Sequence, residues 1–402
     1  MTTVALAWGT LTVVLLLAFG EGLGNQMRKG FQGFASHSVI IKGSGQTSVS
    51  YRGLPKGRRI NLAEEDVTLL KNQIPEIELI SPENDRWGNS ISYGKKTVNA
   101  LVVGVYPCFG EMRIHFPERG GRFINESDMK DRRRVIFLGD QLKKDIFGDK
   151  EDAVGKVVSI NNIPFTVIGV MEKKMQNSMY QGPDANKATI PFSTFSMMLK
   201  KSGYEYIDRM IYRPKDVNQA KKIEQAVYSI LGGKYKFDPK DESALSVWDT
   251  IENEKGLSKI SLGMEIFLII LGGMSLIAGG VGVANISFAT VRQRTREIGI
   301  KIALGAQRKD ILIQFLGESL IICLWGGCIG MALSFSIIYL FLQIPFKEGG
   351  SISVADFLAH PVISIETIII TVLILSVIGI MAGFFPARRA TKLNPVEALR
   401  YE

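Results

Sequence analysis

The sequence predicts an α-helical membrane protein with four transmembrane helices and a mixed α+β extracytoplasmic domain, in two subdomains, inserted between helices 1 and 2. Three observations predict it. Four stretches of about 20 residues or more carry no charge: Thr2 to Gly20, Ile266 to Ala289, Ser319 to Phe346 and Thr367 to Ala387. A span needs roughly 20 predominantly apolar residues at about 1.5 Å each, and buried helices of a soluble core do not explain four such stretches. A long polar segment separates the first stretch from the second. Finally, the chain carries 48 Lys and Arg against 39 Asp and Glu, and most of its net +9 lies in two short segments beside the spans.

Residues 1–20 are read as transmembrane helix 1. They have no basic leading segment, and Ala18-Phe19-Gly20 is a poor cleavage site, so a removed signal peptide is not expected. The missing basic flank suggests that the numbering begins inside the natural first helix or that translation starts late. Glu21 to Phe34 is expected to continue as a stalk.

Residues 21–260 form the expected extracytoplasmic domain. Val39 to Ile41, Val98 to Val105, Arg134 to Leu138, Val157 to Ile160 and Phe165 to Val170 read as strands bounded by Gly, Asn and Pro. Leu62 to Ile74, Gly139 to Phe147 and Asp216 to Leu231 read as helices. Asp216 is the expected N-cap of the last, and Gly232-Gly233 its stop. At over 200 residues, the region is long enough to bury its own core. Glu252 to Glu265 is polar and helical in pattern, a second stalk running into the second span. Cys108 is the domain's one cysteine, so no internal disulfide is expected; Cys323 and Cys328 read as small packing residues of the third span.

Residues 261–402 form the membrane domain, with spans 2 to 4, a loop at 289–311 and a C-terminal tail. The loop holds Arg292, Arg294, Arg296, Lys301, Arg308 and Lys309 against Glu297 and Asp310. The tail holds Arg388, Arg389, Lys392 and Arg400 against Glu397 and Glu402. Positive charge beside spans marks the cytoplasmic side, which puts both termini inside and the large domain outside. With the charge so confined, nucleic-acid binding has little to rest on.

Chemistry is sparse. The three histidines, His37, His115 and His360, are far apart and lack metal spacing. Cys108, Glu111 and His115 fall close together, but a loop that happens to carry them is the better reading, and no metal is expected. Gly148 to Lys156 has six residues between its glycines and Val157 where a phosphate-binding loop needs a hydroxyl, and Gly43-Ser-Gly-Gln-Thr47 is a glycine-rich turn. The chain therefore has no visible ATP site and no catalytic constellation. No charge sits in the middle of a span, which disfavours an ion-coupled transporter. Small residues at four-residue spacing, Gly20/Gly24, Ser275/Gly279, Gly326/Gly330 and Gly379/Gly383, with Gly280 and Gly282, predict close helix packing within or between protomers.

The run Arg294-Thr-Arg-Glu-Ile-Gly-Ile-Lys-Ile-Ala-Leu-Gly-Ala306 mixes charge with apolar residues as a short surface helix does. Glu297 and Lys301 are spaced as an i,i+4 pair in the favourable order. Ile298 and Ile302 share a face suited to the membrane or to a partner's groove. Gly299 and Gly305 allow close contact or a helix end. The bland alternative is a solvated basic anchor that only sets topology.

Together these residues resemble the MacB/FtsX-like permease subunits of ABC transporters. That run with Gln314-Phe-Leu316, Gly279-Gly-Val-Gly-Val-Ala-Asn285, Phe385-Pro-Ala-Arg-Arg-Ala390 and Asn394-Pro-Val-Glu-Ala-Leu-Arg400 look like the family's membrane-domain motifs. Gly120-Gly-Arg-Phe123 with Asp128, Val135 to Gly139, and Val154-Gly-Lys156 through Phe165-Thr-Val-Ile-Gly169 resemble its periplasmic domain. Against the family's pattern, the sequence as numbered starts at the first span without the usual amphipathic segment, and it is expected to carry no fused ATPase of the kind some members have. The resemblance implies a non-catalytic permease in a bacterial inner membrane, driven by a separate cytoplasmic ATPase subunit that binds ATP and Mg. It implies docking on a coupling loop of Arg294, Arg296, Glu297, Ile298, Gly299, Lys301, Leu304, Gly305 and Ala306. It also implies a homodimer or heterodimer, a periplasmic adaptor as a further candidate partner, and export or extraction of a drug, peptide or lipoprotein. An FtsX-type regulator of a cell-wall hydrolase, or a membrane-tethered sensor without an ATPase, are the alternatives.

Overall fold

The segment between the first two apolar stretches folds around one nine-stranded sheet, and the apolar stretches themselves form long helices. The structure is a computed structural model that describes residues 2–32, 37–174, 176, 180–199, 205–343 and 361–391. The chain divides into two units, Arg28–Leu257 and Met1–Met27 with Ser258–Glu402.

In the first unit the strands are β1 (Val39–Lys42), β2 (Gly45–Gln46), β3 (Arg59–Ile60), β4 (Ile77–Tyr93), β5 (Lys96–Val105), β6 (Val135–Leu138), β7 (Val157–Ile160), β8 (Ile163–Val170), β9 (Lys187–Pro191), β10 (Arg209–Pro214) and β11 (Ser246–Asp249). The main sheet runs β11-β1-β10-β4-β5-β9-β6-β8-β7, and β7 also pairs with β4 (Ile91 with Ile160), so six strands close on themselves. β4 serves both parts because it bends. Its register with β5 shifts between Arg86 and Asn89, where Gly88 takes φ +75°. A left-handed residue at a bulge re-aims a strand in this way.

Three apolar cores lie on this one sheet. Val39, Ile41, Met210 and Tyr212 pack with helices α2 (Glu64–Gln73) and α7 (Ala220–Tyr235). Ile91, Val102, Ile136, Val158 and Phe165 pack around the closed strands with α5 (Asp140–Phe147) and α6 (Phe192–Met198). The short helices α3 (Phe109–Met112) and α4 (Glu126–Lys130) help cover the opposite face. All five expected strands and the three expected helices are present within a few residues. One boundary is corrected: α7 does not stop at Gly232-Gly233 but runs to Tyr235 and ends on Lys236 at φ +56°. An interior glycine costs a helix only about 1 kcal/mol, and Tyr235 and Lys234 both bond Asp66 on α2, which holds the extra turn. Asp216 caps a 3-10 turn ahead of α7 by accepting from the Asn218 N–H at 2.9 Å.

The second unit is helical. Helices α1 (Thr2–Gln32), α8 (Thr250–Gln293), α10 (Arg308–Leu342) and α11 (Ile365–Ala390) are each long and apolar enough to cross a membrane; a short helix, α9 (Thr295–Ala303), joins α8 to α10. α1 and α8 outrun their apolar stretches without a break, as expected of helical stalks, although residues 33–36 of the first lie outside the described part. At about 1.5 Å per residue, α8 is roughly 66 Å long, about twice a bilayer core. Ile270, Met274, Ile277 and Val281 on α8 are exposed, while Leu276 and Val283 on its other face are buried. An apolar exposed stripe beside a close-packed one is what a lipid-facing helix presents. The segment 347–360, His360 and the motif at 394–400 lie outside the described residues.

Candidate functional site

The helix α8 breaks at Arg294, a turn residue at ψ 14°, and the chain re-enters helix at Thr295. The Thr295 hydroxyl donates to the Val291 and Arg292 carbonyls (3.0 and 2.8 Å), fixing the corner. At the far end Gly305 takes φ +96°. Its N–H donates to Ile302 O, and the Ala306 N–H to Lys301 O, both at 3.0 Å. This paired closure is a Schellman motif, in which glycine is preferred because other residues resist that φ. Gly305 is therefore the helix end that the sequence suggested. The next helix begins at once, with the Asp310 carboxylate accepting from the Gln307 N–H at 3.1 Å.

The faces of α9 differ from expectation. Ile298, 4% exposed, packs with Val291, Ile311, Phe315 and Ala387, and half-buried Ile302 adds to the cluster. This face is spent on the chain's own α8, α10 and α11 and is not free for lipid or a partner. Gly299 is buried beside it. Nor does Lys301 pair with Glu297. Its ammonium donates to Gln314 on α10 at 3.0 Å, and no Glu297–Lys301 ion pair occurs among the described residues. The i,i+4 attraction is worth only a few tenths of a kcal/mol, so a neighbouring acceptor displaces it readily. The outward face carries Arg296, Glu297 and Lys301 around Ile300 (43% exposed) and Leu304 (83%), with Ala306 half-buried. Arg296, Ile300 and Leu304 recur every fourth residue, a mixed stripe that the sequence reading did not pick out although its spacing was legible.

The glycines pack within the chain. A Cβ added to Gly279 would meet α1 at the Leu6 side chain (3.2 Å) and the Ala5 carbonyl (3.4 Å). On Gly326 or Gly330 it would lie 2.7 Å from Leu6 Cβ or 2.5 Å from the Ala7 carbonyl oxygen, again on α1. Gly280 faces Ile378 of α11, and Gly379 and Gly383 face Cys323 and Ser319 of α10. Gly282 is half-buried. The small-residue pairs thus seat α1 and α11 against α8 and α10 within one protomer.

In the first unit, Cys108, Glu111 and His115 do not converge, and no metal cluster occurs among the described residues. The Cys108 thiol donates to Ile80 O (3.3 Å), and burial pushes its pKa up to about 11. Glu111 accepts from Arg213 at 2.7 Å. His115 instead joins a buried charge cluster that sequence reading missed, because its members lie far apart in the chain. The Asp184 carboxylate accepts from Arg113 (2.8 Å to both oxygens), Lys174 and Lys187 (2.9 Å each), with His115 Nε2 at 3.2 Å. Burial alone would raise the Asp184 pKa, but the three surrounding cations hold it well below the usual carboxylate range. His115 is pushed down to about 4, first by burial and then by Lys174, against the opposing pull of Asp184. Burial likewise lowers Lys174 to about 8. The cluster ties α3, β9 and the segment after β8 together.

Comparison with known proteins matches a MacB-like periplasmic core domain over residues 1–230 and an FtsX-like permease C-terminal domain over residues 269–395. The first match covers more than half of the chain. The chain belongs to the MacB/FtsX permease family. It is 30% identical over 396 residues to the macrolide export ATP-binding/permease protein MacB of Bdellovibrio bacteriovorus, covering 98% of this chain and 58% of that protein. It is 31% identical to the protein of the same name from Chromobacterium violaceum (100% and 58%), and 29% identical to the pyoverdine export ATP-binding/permease protein PvdT of Pseudomonas syringae pv. tomato (100% and 57%). This family member thus spans a little under three fifths of the length of these relatives. Among solved structures, the periplasmic region of MacB from Actinobacillus actinomycetemcomitans aligns with a TM-score of 0.44 at 19% identity, covering 57% of this chain and 96% of that one.

Proposed function

We propose that this permease couples ATP hydrolysis by a separate cytoplasmic ATPase subunit to motion of its extracytoplasmic domain, for export or extraction of a drug, peptide or lipoprotein. The observation that carries the proposal is the outward face of α9. It is a nine-residue helix, closed at both ends and packed beneath, that leaves Ile300 and Leu304 exposed among Arg296, Glu297 and Lys301. An exposed apolar pair rimmed by charge is the surface that a partner's groove takes. The residues Arg294, Arg296, Glu297, Gly299, Lys301, Leu304, Gly305 and Ala306 form the docking loop in this account, with Ile298 as its buried root. ATP and Mg bind the partner. Relatives named for export and for ATP binding favour this reading over a hydrolase regulator or a sensor.

In the proposed topology both termini and the loop at 289–311 face the cytoplasm of a bacterial inner membrane, as the basic residues there favour. Residues 1–20, 21–260 and 261–402 act as first span, extracytoplasmic domain with stalks, and membrane domain. The core under α2 and α7 and the core around the closed strands act as the two lobes of the extracytoplasmic domain. The permease works as a homodimer or heterodimer, with a periplasmic adaptor as a further partner. Co-purification from the native membrane tests the partner: an ATPase chain should accompany the permease, and its absence at mild detergent would sink the proposal. Glu297→Lys should leave insertion intact yet lower permease-stimulated ATP hydrolysis; unchanged stimulation would remove Glu297 from the docking surface.

A further inference from the structure

The geometry points to Glu318 as a positioning residue that straps the docking helix α9 to the third span, α10. Its Oε1 accepts from two directions. Arg294, the hinge residue before α9, donates from its guanidinium at 3.4 Å. Gln314, one turn earlier on α10, donates from its amide nitrogen at 3.2 Å. The amide oxygen of that same Gln314 accepts from Lys301, in the last turn of α9, at 3.0 Å. One carboxylate thus holds both ends of the nine-residue helix, directly at its start and through Gln314 at its finish.

The strap complements the apolar root. Ile298 fixes the middle of α9 against Val291, Ile311, Phe315 and Ala387, but these contacts all lie on one face and leave the two ends of the helix to be held separately. Arg294 and Gly305 are the two points at which the helix path breaks, so tilt concentrates there. The polar chain runs beside the apolar face and holds those ends. An ion pair open to bulk water adds little. The Arg294 and Glu318 side chains are 46% and 41% exposed, so their ion pair by itself is weak and the strap depends on its second attachment through Gln314. Glu318 stands just ahead of the apolar stretch of the third span, beside Ser319, which the Ser287 hydroxyl meets at 3.3 Å, and there its two linked attachments hold both ends of α9 together. A push on Leu304 and Ile300 would then move α10 as one body with α9 and would not fold α9 at its hinges.

The structural part of this inference concerns α9 and α10 alone; its functional consequence rests on the proposed coupling. Both are tested with the full chain in lipid nanodiscs, with Cys108, Cys323 and Cys328 replaced by serine or alanine and spin labels at Ile300 and Ile321. The parent should give one narrow distance distribution. Glu318→Ala should broaden it, Glu318→Gln should broaden it less because Gln314 keeps an acceptor, and the charge exchange Arg294→Glu with Glu318→Arg should narrow it again. A distribution unchanged in Glu318→Ala, or a charge exchange that restores nothing, overturns the strap. In the assembled complex, Glu318→Ala should still retain the ATPase but lose roughly five-fold or more of permease-dependent ATP hydrolysis, the lower end of ordinary coupling between sites. Full stimulation by a variant with a broadened distribution would overturn the functional role of Glu318. A parent that stimulates no hydrolysis at all would instead defeat the coupling proposal, while a narrowed distribution on charge exchange would still support the strap.

Discussion

Acidification should weaken the first unit through His115, by an amount that its surroundings set. The imidazole is 4% exposed and lies among Arg113, Lys174 and Asp184. Its pKa falls from 6.5 to about 4 on folding, with burial the first cause. The unfolded chain therefore binds the proton more tightly than the folded one, and stability rises with pH across that window. Above pH 6.5 both states are neutral and nothing is lost. Between pH 6.5 and about 4, each unit of acidification removes about 1.4 kcal/mol, and below about 4 the loss stops. At pH 5 the loss is about 2 kcal/mol. With a urea dependence of about 2 kcal/mol per molar, the midpoint should fall by about 1 M between pH 7 and pH 5. The assay is urea unfolding of the full chain in detergent, followed by tryptophan fluorescence, with Trp8 and Trp325 replaced by phenylalanine so that Trp87 and Trp248 of the first unit report. His115→Gln cannot titrate, so its midpoint should lack this part of the pH dependence. If His115→Gln and the parent shift by the same amount, the imidazole is not the group responsible and the reasoning fails.

Other residues give sharper structural tests. Asp184→Asn should destabilise the same unit by about 3–5 kcal/mol, because it leaves Arg113, Lys174 and Lys187 buried without their carboxylate; a midpoint loss under about 1 kcal/mol in that assay would contradict the cluster. Gly330→Ala should lower the thermal aggregation midpoint in detergent, since its Cβ would meet the Ala7 carbonyl at 2.5 Å, whereas Gly317→Ala meets nothing within 4 Å and should be neutral or mildly stabilising. Equal effects at the two sites would count against the α1–α10 contact. Lys236→Gly should stabilise by about 1 kcal/mol by relieving the left-handed φ at the end of α7, read as a higher urea midpoint.

The helices and the membrane-domain motifs were legible because their signals are local. Unbroken apolar runs name spans, basic flanks name the loop, and Gly305 followed by Gln307 marks a helix end and a fresh start. What escaped reading depends on residues distant in sequence. β4 carries Asn84, Asp85, Arg86 and Gly88, which argue against a strand until Arg209 and Asp208 of the neighbouring segment arrive to pair with them. β9, β10 and β11 are short runs with charge or Pro at their ends. β9 and β10 are buried almost throughout, which the sheet decides and not an alternation of their own. The Asp184 cluster draws on residues 113, 115, 174 and 187, and no spacing links them. In the loop at 289–311, Ile298 and Ile302 were rightly placed on one face, but sequence alone does not say whether a helix turns that face inward or outward. Here Ile311 and Phe315 turn it inward, so the exposed pair is Ile300 and Leu304.

The most direct test of ATPase docking on α9 is site-specific photocrosslinking in native membranes, with the reactive side chain at Leu304, Ile300 or Ile298. The account predicts that Leu304 and Ile300 capture an ATP-binding chain and that buried Ile298 captures none. Capture of lipid alone from Leu304 and Ile300, with the ATP-binding chain recovered from some other face, would contradict it.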